Sequence, residues 1–126
     1  MNIPADLKYV QSHEWLEYID NDKARMGITD FAQNAMGDIV FVNLPQVGDT
    51  VTAGEAICDM ESVKAVEDIF APVSGEIIAV NEELMDHPEL INSDPYEAWI
   101  AEIGAITDTE DLLDATAYAA VCEEEA

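Results

Sequence analysis

Cys58-Asp59-Met60-Glu61-Ser62-Val63-Lys64-Ala65-Val66-Glu67-Asp68 is the stretch on which the reading of this chain turns. Both ends are strand-like, and Ser62–Ala65 interrupts the pattern, so a lysine stands between two arms. Gly48-Asp49-Thr50-Val51 leads into the first arm, and Ala71-Pro72-Val73-Ser74-Gly75 reads as a turn leaving the second. The unit is a glycine-bounded β segment with Lys64 at its centre. The bland reading is a solvated lysine paired with Glu61, Glu67 or Asp68. Such exposed pairs contribute at most about 1 kcal/mol. The layout favours presentation instead. A tight turn holds the ε-amine away from the fold, within reach of a modifying enzyme. Acylation there makes a neutral amide and lengthens an already flexible stem.

Working outward, Glu14-Trp-Leu-Glu-Tyr-Ile19 is rich in aromatic and β-branched residues and predicts a strand. Asp20-Asn21-Asp22 turns the chain and lacks the glycine and distal glutamate of an EF-hand loop. Ala24–Thr29 is the hairpin partner. Asp30 is expected to cap a short helix through Met36, with Gly37 as its left-handed stop. Ile39-Val-Phe-Val-Asn-Leu44 is a nearly continuous apolar run, which predicts a buried strand ended by Pro45. Beyond the lysine, Val66–Phe70 and Glu76–Val80 read as strands. Asp86 with Pro88 suggests a short helix start, and Ser93-Asp-Pro-Tyr96 a turn. Ala98–Ile103 is read as a final strand. Thr107-x-x-Glu110 has capping-box spacing. Leu112, Leu113, Ala117, Ala120 and Val121 then recur at helical spacing. Many short strands at close intervals predict a mainly β sandwich or barrel, with one or two terminal helices on one side.

Composition narrows the function. With 126 residues the chain fits one domain, 1–126, and 49% hydrophobic residues separate it from a disordered acidic tail. There are 28 Asp and Glu against 4 Lys and Arg, a formal net charge of −24. So few cations cannot neutralise a row of phosphates, which excludes nucleic acid, and anionic membranes repel the chain. No run of about 18 apolar residues exists, and the start carries no secretory signal, so the expected location is cytoplasmic. Cys58 and Cys122 match no zinc or C-x-x-C spacing and read as reduced thiols. No metal site is expected. The acid is scattered rather than gathered in a tail, which predicts an acidic surface everywhere. A halophile's salty cytoplasm explains it better than a nucleic-acid mimic or a calcium binder, because counter-ions relieve the self-repulsion.

The lysine-bearing segment resembles the biotin and lipoate carriers. Biotinyl lysines in that group typically have Met on both sides, whereas here the flanks are Val63 and Ala65, with Glu61 three residues before. That favours lipoate. Leu7-Lys-Tyr9, His13-Glu-Trp15, Gly27-Ile-Thr29, Gly37-Asp-x-Val-Phe-Val42, Leu44-Pro45, Glu61-Ser-Val-Lys-Ala65, Pro72-Val-Ser-Gly75 and Leu113-Asp-Ala-Thr-Ala-Tyr118 follow one another in order. As a set they resemble the H proteins of the glycine cleavage system along nearly the whole chain. Tyr96-Glu-Ala-Trp99 departs from that pattern, as a loop shortened by a residue and a glycine.

The resemblance implies a barrel-sandwich hybrid fold with short helices, including a C-terminal helical segment, and a carrier with no catalytic residues. Lys64 would bear the lipoyl group, and Glu61, Val63 and Ala65 would serve recognition of the hairpin. Ser12, Glu14 and Asp68 match positions of a groove that shelters the loaded arm. The implied partners are the pyridoxal-phosphate glycine decarboxylase, the tetrahydrofolate-dependent aminomethyltransferase, dihydrolipoyl dehydrogenase and a lipoate-attaching enzyme, met by a monomer. A lipoyl domain of a 2-oxoacid dehydrogenase shares the hairpin but lacks the His13-Glu-Trp15 segment and the terminal helices. The hairpin is also compatible with an H-like protein that relays lipoate to other carriers. An acidic interaction protein without a cofactor would need no modified lysine at all. His13, Trp15 and Trp99 are read as structural, and Glu14 as either a groove residue or a solvated strand-edge acid.

Overall fold

The computed structural model describes residues 1–125. Two antiparallel sheets build it. The larger holds β1 (Lys8–Tyr9), β2 (Glu14–Asp20), β3 (Lys23–Ile28), β5 (Thr50–Val51), β8 (Val73–Val80) and β9 (Ala101–Thr109), in the order β1-β2-β3-β9-β8-β5. The smaller holds β4 (Ile39–Asn43), β6 (Ala56–Ser62) and β7 (Val66–Phe70), in the order β4-β6-β7. Leu16, Met26, Ile77 and Ile103 of the first sheet share one buried core with Val42, Met60 and Ile69 of the second. Each such side chain contributes about 1.5–3 kcal/mol on leaving water. The expectation of a mainly β sandwich with short helices holds.

Among the described residues four helices decorate the sheets: α1 (Asp30–Met36), α2 (Glu83–Asp86), α3 (Leu90–Ser93) and α4 (Ala115–Glu125). α1 is where the sequence placed it, but its cap is Thr29, whose hydroxyl accepts from the Ala32 amide. Asp30 is the first helical residue and favours the helix as a negative charge in its first turn. Gly37 ends the helix at φ 82°, a region that suits glycine.

Several expectations fail for identifiable reasons. Val40 and Phe41 are exposed, because β4 is an edge strand with a register shift between Ile39 and Phe41. The apolar run is therefore only half buried. β8 begins at Val73, inside the expected turn, because Val73 and Ser74 pair with Thr109 and Asp108. The same pairing makes β9 run over Ala101–Thr109, so Thr107 lies in a strand and caps nothing. α4 starts instead at Ala115, with the Ala117 amide donating to Asp114 Oδ1. That start shifts the helix phase: Tyr118 and Cys122 are buried, while Ala117 and Ala120 face solvent. Asp86 ends a helix rather than starting one.

A second, smaller cluster ties α4 down. Leu7, Tyr9, Trp15, Tyr118 and Cys122 bury one another, and the Tyr9 and Tyr118 rings stack at 4.7 Å. Backbone bonds join Tyr9 and Leu113 in both directions, at 2.9 and 2.7 Å. Gly27 lies opposite Trp15 in the β2–β3 register, and a Cβ there would sit 2.8 Å from the indole. Only a glycine lets the ring lie flat on the neighbouring strand.

Candidate functional site

β6 and β7 form the hairpin expected from the sequence, with Lys64 exposed at its tip. Ser62 builds the turn. Its amide donates to the Ala65 carbonyl at 2.8 Å, and its Oγ accepts from the amides of Lys64 (3.3 Å) and Ala65 (3.1 Å). The buried hydroxyl thus supplies the acceptor that the backbone of this turn lacks. The Val63 amide donates to the Asp38 carbonyl at 3.0 Å, which fixes the turn to the start of β4. The tip is therefore rigid at its root while the lysine side chain stays free. Its Cε lies 3.5 Å from where a Cβ of Gly37 would stand, so the stem rests over the end of α1.

A groove of about 250 Å³ opens beside this hairpin. Ile28, Phe31, Ala32, Met36, Met60 and Ile69 make it apolar, and Ser12, His13, Glu14, Glu67, Asp68 and Glu125 supply its polar groups. Ser12, Glu14 and Asp68, far apart in sequence, are thus brought to one groove. Glu61 and Val63 flank the tip and are exposed, and Ala65 lies at the groove wall.

Glu14 is not a solvated acid: it is 2% exposed. One carboxylate oxygen accepts from Ser12 Oγ, and the other accepts from the Phe70 amide at 3.2 Å, at the free edge of β7. Burial pushes its pKa up to about 7, and these hydrogen bonds offset only part of that rise. A buried acid poised near neutrality in the lining of this groove suits a cationic group, whose arrival favours the carboxylate. Asp68 is exposed and adds negative charge at the rim.

His13 is held by structure. It has a positive φ of 77°, stacks on Phe31 at 4.7 Å, and bonds Tyr118 Oη (2.7 Å) and Glu125 Oε1 (2.8 Å). It forms part of the wall and joins the groove to α4. Trp15 is buried, whereas Trp99 is half-buried beneath the Arg25 guanidinium at 4.9 Å. Cys58 and Cys122 are free thiols. Burial, then the charges of Asp59, Glu14 and Asp68, push the Cys58 thiol up to about 12. A thiol held so firmly protonated does not exchange with a nearby disulfide at neutral pH.

The groove fits a short aliphatic arm with a polar tip: apolar side chains of α1, β6 and β7 share its lining with the carboxyl groups of Glu14, Glu67 and Asp68. Fold and site together define a carrier of the lipoyl and biotinyl class. The sequence model of the glycine cleavage H-protein family matches residues 7–125. The glycine cleavage system H protein of Enterobacter sp. (strain 638) is 56% identical over 98% of both chains. That of Shewanella putrefaciens is 54% identical over the same share. The crystal structure of a glycine cleavage system H protein from Mycobacterium marinum superposes with a TM-score of 0.89 at 41% identity, covering 98% of this chain and 100% of that one. The chain belongs to the glycine cleavage H-protein family. Among the described residues no helix is long and apolar enough to cross a membrane.

Sequence reasoning did not single out Ser62, although a serine two residues before the lysine is a recognisable turn acceptor. Glu67, Phe31 and Met36, which also line the groove, carry no comparable signal, because only the fold brings α1 and β7 to the same groove.

Proposed function

We propose that the chain is the lipoyl carrier of the glycine cleavage system, with lipoate in amide linkage to Lys64. The observation that carries this reading is an exposed lysine on a fixed hairpin tip, beside a groove lined by apolar side chains and a buried carboxyl group. In that role it moves the aminomethyl group of glycine from the pyridoxal-phosphate decarboxylase to the tetrahydrofolate-dependent aminomethyltransferase. Dihydrolipoyl dehydrogenase then takes the dithiol, and a lipoate-attaching enzyme recognises Glu61, Val63 and Ala65. Lipoate supplies the sulfur chemistry that accepts and returns the one-carbon unit.

The chain's own residues hold and shelter. Ser62 sets the direction in which Lys64 leaves the fold. The walls contributed by α1 and β7 exclude water from whatever lies between them. Glu14 holds its proton more tightly than an exposed acid would while the groove lacks a cation. It gives the proton up to solvent when an ammonium group approaches its Oε atoms, with Ser12 and Asp68 alongside. No side chain makes or breaks a bond of the substrate, so the protein acts as a carrier rather than a catalyst. We read residues 1–126 as one such domain, working in the cytoplasm. The charge of −24 supports adaptation to a salty one.

Reconstitution with the decarboxylase and carbon-labelled glycine tests this. Label should become bound to the wild-type chain and not to Lys64→Arg, which keeps the charge and the fold. Equal labelling of both overturns the assignment of Lys64.

A further inference from the structure

We propose that the outer face of the three-stranded sheet, centred on Val40 and Phe41, is the docking surface for the enzyme that attaches lipoate to Lys64. The inference rests on the carrier reading above and extends it to residues remote in sequence from the hairpin.

An ordinary strand turns alternate side chains to opposite faces. β4 does not. Ile39 and Val42 are buried, while Val40 and Phe41, its two consecutive central residues, are 53% and 48% exposed. The register passes from Ile39↔Ser62 directly to Phe41↔Glu61, so Val40 is the extra residue of a bulge. Bulges re-aim side chains at sheet edges and are retained where that direction is used. Here the bulge leaves two large apolar groups in water although the core lies on the strand's other face.

Their neighbours continue the patch. Phe41, Glu61 and Val66 stand in one row across β4, β6 and β7. Val66 is 62% exposed and Val63, beside the lysine, 69%. The Val63–Asp38 hydrogen bond holds the start of β4 against the turn. Val63 and Val66 therefore flank Lys64, and Phe41 and Val40 carry the apolar row on to β4. The other exposed large hydrophobics, such as Val47 and Met85, belong to other segments of the chain.

Charge specifies the partner. Asp38, Asp59, Glu61, Glu67 and Asp68 come from the same strands and turn, and Lys64 is the only cation among residues 38–70. Lys8, Lys23 and Arg25 belong to β1 and β3 in the other sheet. The complementary surface is an apolar patch rimmed by Lys and Arg. The reaction explains why such a partner must cover this face. The Lys64 amine, having lost its proton to solvent, bonds to the carbonyl carbon of an acyl adenylate made from lipoate and ATP. The acyl–phosphate bond breaks, and AMP departs with the electron pair. The amine reaches that carbon only if the enzyme closes over the surface around it.

The test uses the unmodified chain with its purified lipoate-attaching enzyme, lipoate and ATP. Val40→Ser/Phe41→Ser should raise KM at least about tenfold, leave kcat within about twofold and leave Tm unchanged. Phe41→Ser alone gives an intermediate KM, Phe41→Leu restores most of the affinity, and Val47→Ser matches wild type. Added salt should raise the wild-type KM. Unchanged KM in the double variant, or a loss confined to kcat, overturns the proposal. So does normal lipoylation with slowed aminomethyl transfer, because the face would then belong to another enzyme. Failure of the wild-type chain to accept lipoate at Lys64 refutes the carrier reading itself, and this inference with it.

Discussion

Replacing Glu14 with Gln should make the folded protein more stable and the carrier worse at its task. Burial raises the Glu14 pKa from 4.5 to about 7, which corresponds to roughly 3 kcal/mol by which the fold disfavours the ionised acid. The sign follows from linkage. The folded state binds the proton more tightly than the unfolded one. The stability this confers is fully present below the unfolded value of 4.5 and lost as pH rises through about 7. A glutamine amide can accept from the Phe70 amide and donate to Ser12 Oγ, so both hydrogen bonds survive in another form. Urea unfolding of both proteins should give nearly equal free energies at about pH 4, where either side chain is neutral. Glu14→Gln should be ahead by roughly 3 kcal/mol at about pH 8. The same variant loses the negative charge that would hold an ammonium group. A charged hydrogen bond of about 1.5–3 kcal/mol implies that ammonia leaves the loaded carrier about ten- to a hundredfold faster. A stability difference that does not change between the two pH values would refute the account of Glu14 as a buried, destabilised acid. Unchanged ammonia release would refute its guarding role.

Three further outcomes follow from other parts of the structure. Gly27→Ala places a methyl group 2.8 Å from the Trp15 indole and should cost about 1–3 kcal/mol in urea unfolding. Ser62→Ala removes the acceptor for two turn amides and should slow lipoylation while costing about 1–3 kcal/mol of stability. Because the net charge is −24, Tm should rise as KCl goes from about 0.1 M to about 1 M, over which screening shortens from about 10 Å to about 3 Å. A flat or falling curve would count against adaptation to salt.

The chain announces some of this and hides the rest for physical reasons. The β6–β7 hairpin is legible because its arms pair locally and its turn interrupts them with Ser62–Ala65. The β2–β3 hairpin and α1 are legible on the same local grounds. β9 is not, because its length is decided by pairing with β8 and not by its own composition: Thr107, three residues before Glu110, reads equally well as a helix start. Val40 and Phe41 read as core because apolar character does not say which strand forms an edge. Glu14 could be matched to the groove by resemblance. Its burial, and hence its chemistry, depends on the Phe70 amide, which is 56 residues away and belongs to the other sheet.

Mass analysis of the protein isolated from its own cells tests the central claim most directly. The account predicts one lipoyl group per chain, with the added mass on the peptide that contains Lys64 and none on those containing Lys8 or Lys23. A chain that stays unmodified where other carriers in the same cells are lipoylated, or one modified at Lys8 or Lys23, would contradict it.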